Sequence, residues 1–274
     1  MAEATPALPA ADAHNIDVPV AHFSDRSRSW LLIGIVIALL AISWGPTEMS
    51  KASRLVSDWR NMVEFASGFM SPDFRNWRVY LHEMLETAQI ALWGTALAVL
   101  IGAPLAILSS SNICPNWVVQ PIRRLMDASR AINEIVFALL FVVAVGLGPL
   151  AGVLAIAVHN VGVISKLFSE AVEAIDPRPV EGIRATGANR IQEVLFGVIP
   201  QVAPLWSSYM LYRFETNVRS ATVLGIVGAG GVGQSLYESI RSFQYGPTAA
   251  IIIIVIATVM LIDVISARLR KSLV

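Results

Sequence analysis

Residues 228–233 read Gly-Ala-Gly-Gly-Val-Gly, a complete G-x-G-x-x-G inside the stretch VLGIVGAGGVGQSL. After a strand and at the start of a helix, that spacing seats a pyrophosphate on backbone amides. The chemistry needs one more group, an acid about 20 residues on, to hold a ribose hydroxyl. Ala249, Ala250 and Ile251 stand there, inside an uncharged run that continues to Leu261 as a membrane helix does. The run before the glycines carries Arg213 and Arg219 and does not read as a strand core. The dinucleotide match is therefore one of form. Glycine also lets helices approach closely in a membrane, and lets the backbone break where it lines a cavity. Gly228, Gly230 and Gly231 are expected at the outer end of a span, either as a gate or as a close-packed turn.

Other chemistries lack their residues. A P-loop needs lysine after glycine, and Lys51, Lys166 and Lys271 each follow another residue. His82-Glu83 begins an H-E-x-x-H motif, but Glu86 stands where the second histidine belongs. Cys114 is the single cysteine, so no disulfide framework or Cys-based zinc site forms within one chain. No cofactor or metal is expected. Net charge is zero, so no basic excess points to nucleic acid.

The polar stretch Arg213-Phe214-Glu215-Thr216-Asn217-Val218-Arg219-Ser220 lies within an apolar span. Ionisable groups at membrane depth are costly and mark functional sites by default. Glu215 and Arg219 are four apart and can pair on one face. Arg213 has no near partner on its own helix, and Glu134 is an inter-helix candidate. Asn217, Ser220 and Thr222 add neutral donors, so a pore-lining strip stands beside the structural pairing. His159, next to Asn160, reads as a buried, hydrogen-bonded histidine, and Asp263 as a partner for Arg268 or an interfacial group.

A third group lies in EAIDPRPVEGIRATGANRIQEVLFGVIPQVAP, residues 173–204, too polar to span a membrane. Asp176 is a good N-cap and Pro177 suits the first helical position. The helix is expected to run to about Thr186 and stop at Gly187. Asn189 caps a second helix, with Gln192 placed for a capping box, and Pro200 marks the start of the next span. The result is a helix-turn-helix outside the membrane, exposing Glu181, Arg184, Arg190 and Glu193 beside the small residues Gly182, Ala185 and Ala188.

The elements that position these groups are membrane helices. The chain is 55% apolar and 15% charged, against about 25% charged in soluble domains. Spans need roughly 20 apolar residues, and six are expected: about 30–45, 82–109, 129–146, 150–171, 200–227 and 246–267. The fold class is all-α, polytopic, with about six transmembrane helices. Residues 1–29 read as a disordered cytoplasmic tail, and 30–274 as the transmembrane domain. With both termini inside, twelve of the twenty Lys and Arg residues fall on the cytoplasmic side. The loop 46–80 then faces outward. Leu55, Trp59, Met62, Val63, Ala66 and Phe69 share one helical face there, as a connector or as a platform for an outside partner.

Glu181, Gly187 and Pro200 match the E-A-A-x-x-x-G-x9-I-x-L-P loop of ABC importer permeases in spacing. Gly182 and Ile183 replace its alanines, Gly197 its isoleucine and Ile199 its leucine. Residues 121–147, 170–200 and 212–233 together resemble the membrane subunit of the phosphonate ABC importer. The resemblance implies a non-catalytic permease of the bacterial inner membrane. It implies two copies forming the pore, a cytoplasmic ATPase dimer, and a periplasmic binding protein that delivers the substrate. It also implies that Glu181, Gly182, Arg184, Ala185, Gly187 and Pro200 contact the ATPase, within a coupling loop 173–199. Arg213, Asn217, Arg219, Ser220, Thr222 and the three glycines are then candidates for the path and gate. A secondary transporter or channel for small anions is the alternative, as is a permease for phosphite or phosphate esters; no inverted repeat of the kind many secondary transporters carry is visible.

Overall fold

The computed structural model describes residues 23–273, and every regular element among them is helical. The chain divides into two compact units, 1–64 and 65–274. The first holds α1 (Phe23–Ser43), a 3₁₀ turn at Met49–Ala52, α2 (Ser53–Ser57) and the start of α3 (Trp59–Gly68). Helix α1 begins at Phe23, so residues 23–29 are helical rather than part of a tail; no proline or glycine interrupts 23–33. Residues 1–22 of the expected tail lie outside the described residues. Its uninterrupted apolar stretch is short, Trp30–Ser43. The expected surface helix over 50–69 is broken, because Asp58 leaves helical geometry at φ −102°, ψ 21°.

In the second unit, α4 (Trp77–Leu108) and α7 (Pro149–Glu173) pair along their lengths. Small residues make this possible: a Cβ on Gly94 would lie 2.6 Å from Ile156, and one on Gly152 3.0 Å from Ile90. Helix α5 (Asn116–Ala131) crosses α7 where a Cβ on Gly162 would lie 2.6 Å from the Met126 carbonyl. Helix α6 (Glu134–Val145) follows at 85° to α5. The expected span 129–146 is therefore two elements. Ile132 is extended, and the Asn133 side chain caps α6 by accepting from the Ile135 amide. The Gly146–Pro149 turn forms as expected, with φ of +94° at Gly146 and +135° at Gly148.

Helix α8 (Pro177–Ala185), α9 (Arg190–Gln192) and a π-helical turn (Glu193–Val198) lead into α10 (Ile199–Leu224). A 3₁₀ turn at Gly225–Val227, α11 (Val232–Arg241) and α12 (Tyr245–Leu273) complete the unit. Among the described residues, four helical runs are long and apolar enough to cross a membrane: α4, α7, Arg190–Val227 and α12. The α5–α6 pair makes a fifth if taken across its bend.

Two apolar cores stack along the bundle. One gathers Met84, Ile90, Ile156, Leu224 and Ile251, and the other Ile164, Phe168, Val172, Val202 and Trp206. Phe168 and Trp206 stack at 4.3 Å. Between the cores lies a polar layer from α4, α7 and α10.

Candidate functional site

Helix α8 has no buried residue, and local capping sets both its ends. The Asp176 carboxylate accepts from the Arg178 amide at 3.0 Å and from its guanidinium. These bonds hold the Asp176 carboxyl below the usual carboxylate range. Gly187, at φ +83°, ends the helix, and Asn189 and Gln192 form the reciprocal capping box. Glu181, Gly182, Arg184, Ala185, Gly187 and Pro200 are all exposed. Glu193 is not: it is 7% exposed, and Arg184 binds it through two parallel bonds of 2.9 Å. Its expected exposure is corrected, because the π-turn carries it under α8. Gln201 of α10 bonds both backbone groups of Asp176, and Gly197 packs against Val180. Ile191, Leu195 and Phe196 add an exposed apolar strip beside α8. Sequence reasoning did not single these out; their alternation with the capping residues was the available signal.

Close by, Glu173 ties the ends of α4 and α7 to the middle of α5. It accepts from the Ser111 amide and hydroxyl at 2.7 and 2.6 Å and from Arg123, whose Nε donates to the Ser109 carbonyl at 3.0 Å.

At the opposite end of α10, Gly228, Gly230 and Gly231 have φ of +88°, +81° and +76°. Glu86 accepts from the Gly231 amide at 3.1 Å, and the Thr87 hydroxyl accepts from the Val232 amide at 2.9 Å. Those are the amides a pyrophosphate would need. A Cβ on Gly230 would lie 2.9 Å from both Glu86 and Pro149, one on Gly231 would strike Thr87, and one on Gly228 would strike Leu147. The Gly148 amide bonds the Gly228 carbonyl at 2.9 Å. The turn joins α4, α7, α10 and α11 in one close-packed knot.

The remaining candidates divide into two networks. In the polar layer, the Arg213 guanidinium donates to Asn160 Oδ1, from Nε at 2.8 Å and from a terminal nitrogen. Asn160 donates to Asn217 at 3.0 Å, and Asn217 to Thr95 at 2.8 Å. Ser220 donates to Glu134 at 2.6 Å, and Glu134 also faces His159 at 3.2 Å. Glu134 is thus engaged elsewhere, and Asn160 is the acceptor that meets Arg213. The second network joins α10 to α12. Arg219 pairs with Glu215 at 3.1 Å and Asp263 at 3.2 Å, and Arg270 with Glu215 at 3.3 Å. The expected Glu215–Arg219 pair forms, whereas Asp263 turns to Arg219 and not to Arg268. Thr222 bonds the Val218 carbonyl on its own helix. Asn160 and Thr95 were missed as site residues; a polar side chain inside an apolar run, beside His159 in the case of Asn160, was the available signal. A groove of about 710 Å³ is apolar, lined by Leu92, Val99, Met210 and Phe214 among others, and no charged residue lines it.

The family described as binding-protein-dependent transport system inner membrane component matches residues 98–274. The phosphite transport system permease protein PtxC of Stutzerimonas stutzeri is 37% identical over 240 residues, 87% of each chain. PhnE2 of Escherichia coli strain K12, whose name assigns it to a cryptic phosphonate transport system, is 62% identical over 121 residues, 44% of this chain and 99% of its own length. Among solved structures, the inward-facing MetNI methionine ABC transporter shares the fold, with a TM-score of 0.64 at 21% identity over 74% of this chain and 99% of that one.

Proposed function

Because the chain belongs to the family of binding-protein-dependent transport system inner membrane components, we propose that it is the pore-forming subunit of an ATP-driven importer of phosphonate-type oxyanions. Two copies form the pore, with both termini in the cytoplasm. A cytoplasmic ATPase dimer supplies the energy and a periplasmic binding protein delivers the substrate. The observation that carries this reading is α8: a short helix with no buried residue, capped at both ends and fastened to the π-turn by the Arg184–Glu193 pair and to α10 by Gln201. A connector that only joined two spans would not need such fastening. Glu181, Gly182, Arg184, Ala185, Gly187 and Pro200 are the contact with the ATPase.

The path runs along α10. Arg213, Asn217, Arg219, Ser220 and Thr222 line it, and Gly228, Gly230 and Gly231 close its outer end. Guanidinium groups suit the paired oxygens of a phosphonate. A conducting site must also release its substrate, and a network of neutral amides around one arginine meets that need better than a cluster of cations.

Phosphite is the second reading of the substrate, favoured by the similarity to PtxC along most of both chains. Uptake of labelled 2-aminoethylphosphonate, phosphite and phosphate by cells with and without this chain, beside its ATPase and binding protein, tests both. A Glu181→Lys variant is expected to keep its fold and membrane abundance while losing ATPase association and uptake. Unchanged ATP-driven uptake in that variant overturns the coupling role of α8.

A further inference from the structure

Arg213 lies 14 residues after the start of α10 and 11 before its end, so about 16 Å of helix separates it from the nearer end. Among the described residues its guanidinium makes no ion pair; the neutral Asn160 oxygen is its acceptor. The charge of Glu134 acts on it without a direct bond, and the two Glu134 oxygens face Ser220 and His159.

His159 Nδ1 is 2.9 Å from the Ile132 carbonyl. A carbonyl only accepts, so Nδ1 carries hydrogen. Nε2 lies 3.2 Å from Glu134, at ion-pair distance. A protonated His159 balances the Glu134 carboxylate, and the charge of Arg213 then has no counter-charge in the cluster. The side chains of His159 and Glu134 remain 14% and 22% exposed. Charged groups at this depth face protein or a water-filled path, because hydrocarbon would not solvate them.

We propose that Arg213, Asn160, His159 and Ser220 form a mid-membrane station for one tetrahedral oxyanion, with Glu134 as its internal competitor. Glu134 accepts from the Ser220 hydroxyl and lies 3.2 Å from His159 Nε2, the two groups an oxyanion would take. Arg213 has further N–H groups beyond those that bond Asn160. Arrival of the anion displaces Glu134, whose return helps to expel it, so the station captures without trapping. Glu134 also opens α6, where the first-turn amides favour negative charge. The inference rests on the importer reading and adds the residues that meet the substrate in transit.

The test uses the assembled complex with its ATPase, in lipid nanodiscs and without the binding protein. Inorganic phosphate, phosphite and methylphosphonate are titrated and followed by phosphorus NMR. Glu134→Gln is expected to tighten binding roughly tenfold, because a neutral amide competes less well for the donors. Arg213→Gln is expected to weaken it tenfold to a hundredfold, and Ser220→Ala to weaken it less. If Arg213→Gln fails to assemble, Arg213→Lys and Glu134→Gln decide the matter, since neither removes a buried cation. Equal or weaker binding in an assembled Glu134→Gln complex overturns the station. Equal binding by all variants alongside normal wild-type uptake sinks the station and spares the importer. Absence of wild-type uptake of all three anions sinks the substrate reading, and the station then stands or falls by the binding pattern alone.

Discussion

Helix α10 is flanked by glycine-bearing segments, and the two use glycine in opposite ways. Before it, Gly182 and Gly187 stand in open space, where an added Cβ would meet nothing within 4 Å. After it, Gly228, Gly230 and Gly231 have no room for a side chain. Gly187 and the later three all have positive φ. Of the first flank only Gly197 is packed, against Val180, and Gly187 is needed for backbone freedom alone; Gly228, Gly230 and Gly231 need both that freedom and the absent side chain. A substitution on the first flank therefore reports on what docks from outside. One on the second reports on the packing of four helices.

The largest effect is expected from Gly231→Val. A β-branched residue at φ +76° driven against Thr87 should cost about 3 kcal/mol or more, through strain and overpacking together. Membrane abundance and the melting temperature of the purified protein should both drop. Normal values for both would end the distinction between the flanks. Gly187→Ala should cost about 1 kcal/mol, the penalty of left-handed geometry without a clash, read as a modest fall in melting temperature. Gly182→Ala, mid-helix and exposed, should leave stability equal or slightly higher. Any loss of uptake in it then measures contact with the ATPase, and a marked fall in melting temperature would show that Gly182 is packed after all. The smallest effect concerns Asp176. Its folded carboxyl titrates below the unfolded one because Arg178 bonds the charged form. That contribution is fully present above the ordinary carboxylate range and is lost as pH falls through the depressed folded value. The difference in melting temperature between the wild type and Asp176→Asn should shrink on acidification; a difference that grew would reverse the sign.

The same contrast explains what could be read before the structure. The α8–α9 loop was legible almost to the residue, because its determinants are neighbours: Asp176 caps Arg178, Asn189 meets Gln192, and Gly187 closes the helix. Where a partner lay further off, expectation failed. Glu193 looked exposed because Arg184 is nine residues away across a turn. Asp263 was read as a partner for Arg268 or an interfacial group and meets Arg219, 44 residues distant. Arg213 was matched to Glu134 by charge, whereas Asn160 supplies the bonds. Apolar runs located the long spans well, since length and hydropathy suffice for that. They did not reveal the break at Asn133, where one capping side chain inside an apolar stretch turns the chain through 85°. The glycine motif reads from the sequence as a match of form, but Glu86 and Thr87, which bond its amides, lie about 145 residues away.

The attachment of α8 has a mechanical consequence. Two fastenings hold it, the Arg184–Glu193 bridge near its end and the Gln201–Asp176 bonds at its start. A single fastening would be a tether, free to swivel. Two make a bracket. A force on α8 would then pass through both fastenings to the π-turn and α10, while Glu173 holds the ends of α4 and α7 to the middle of α5. The stiff joint and the anchored neighbours together give a lever whose long arm is α10, with the glycine turn at its far tip.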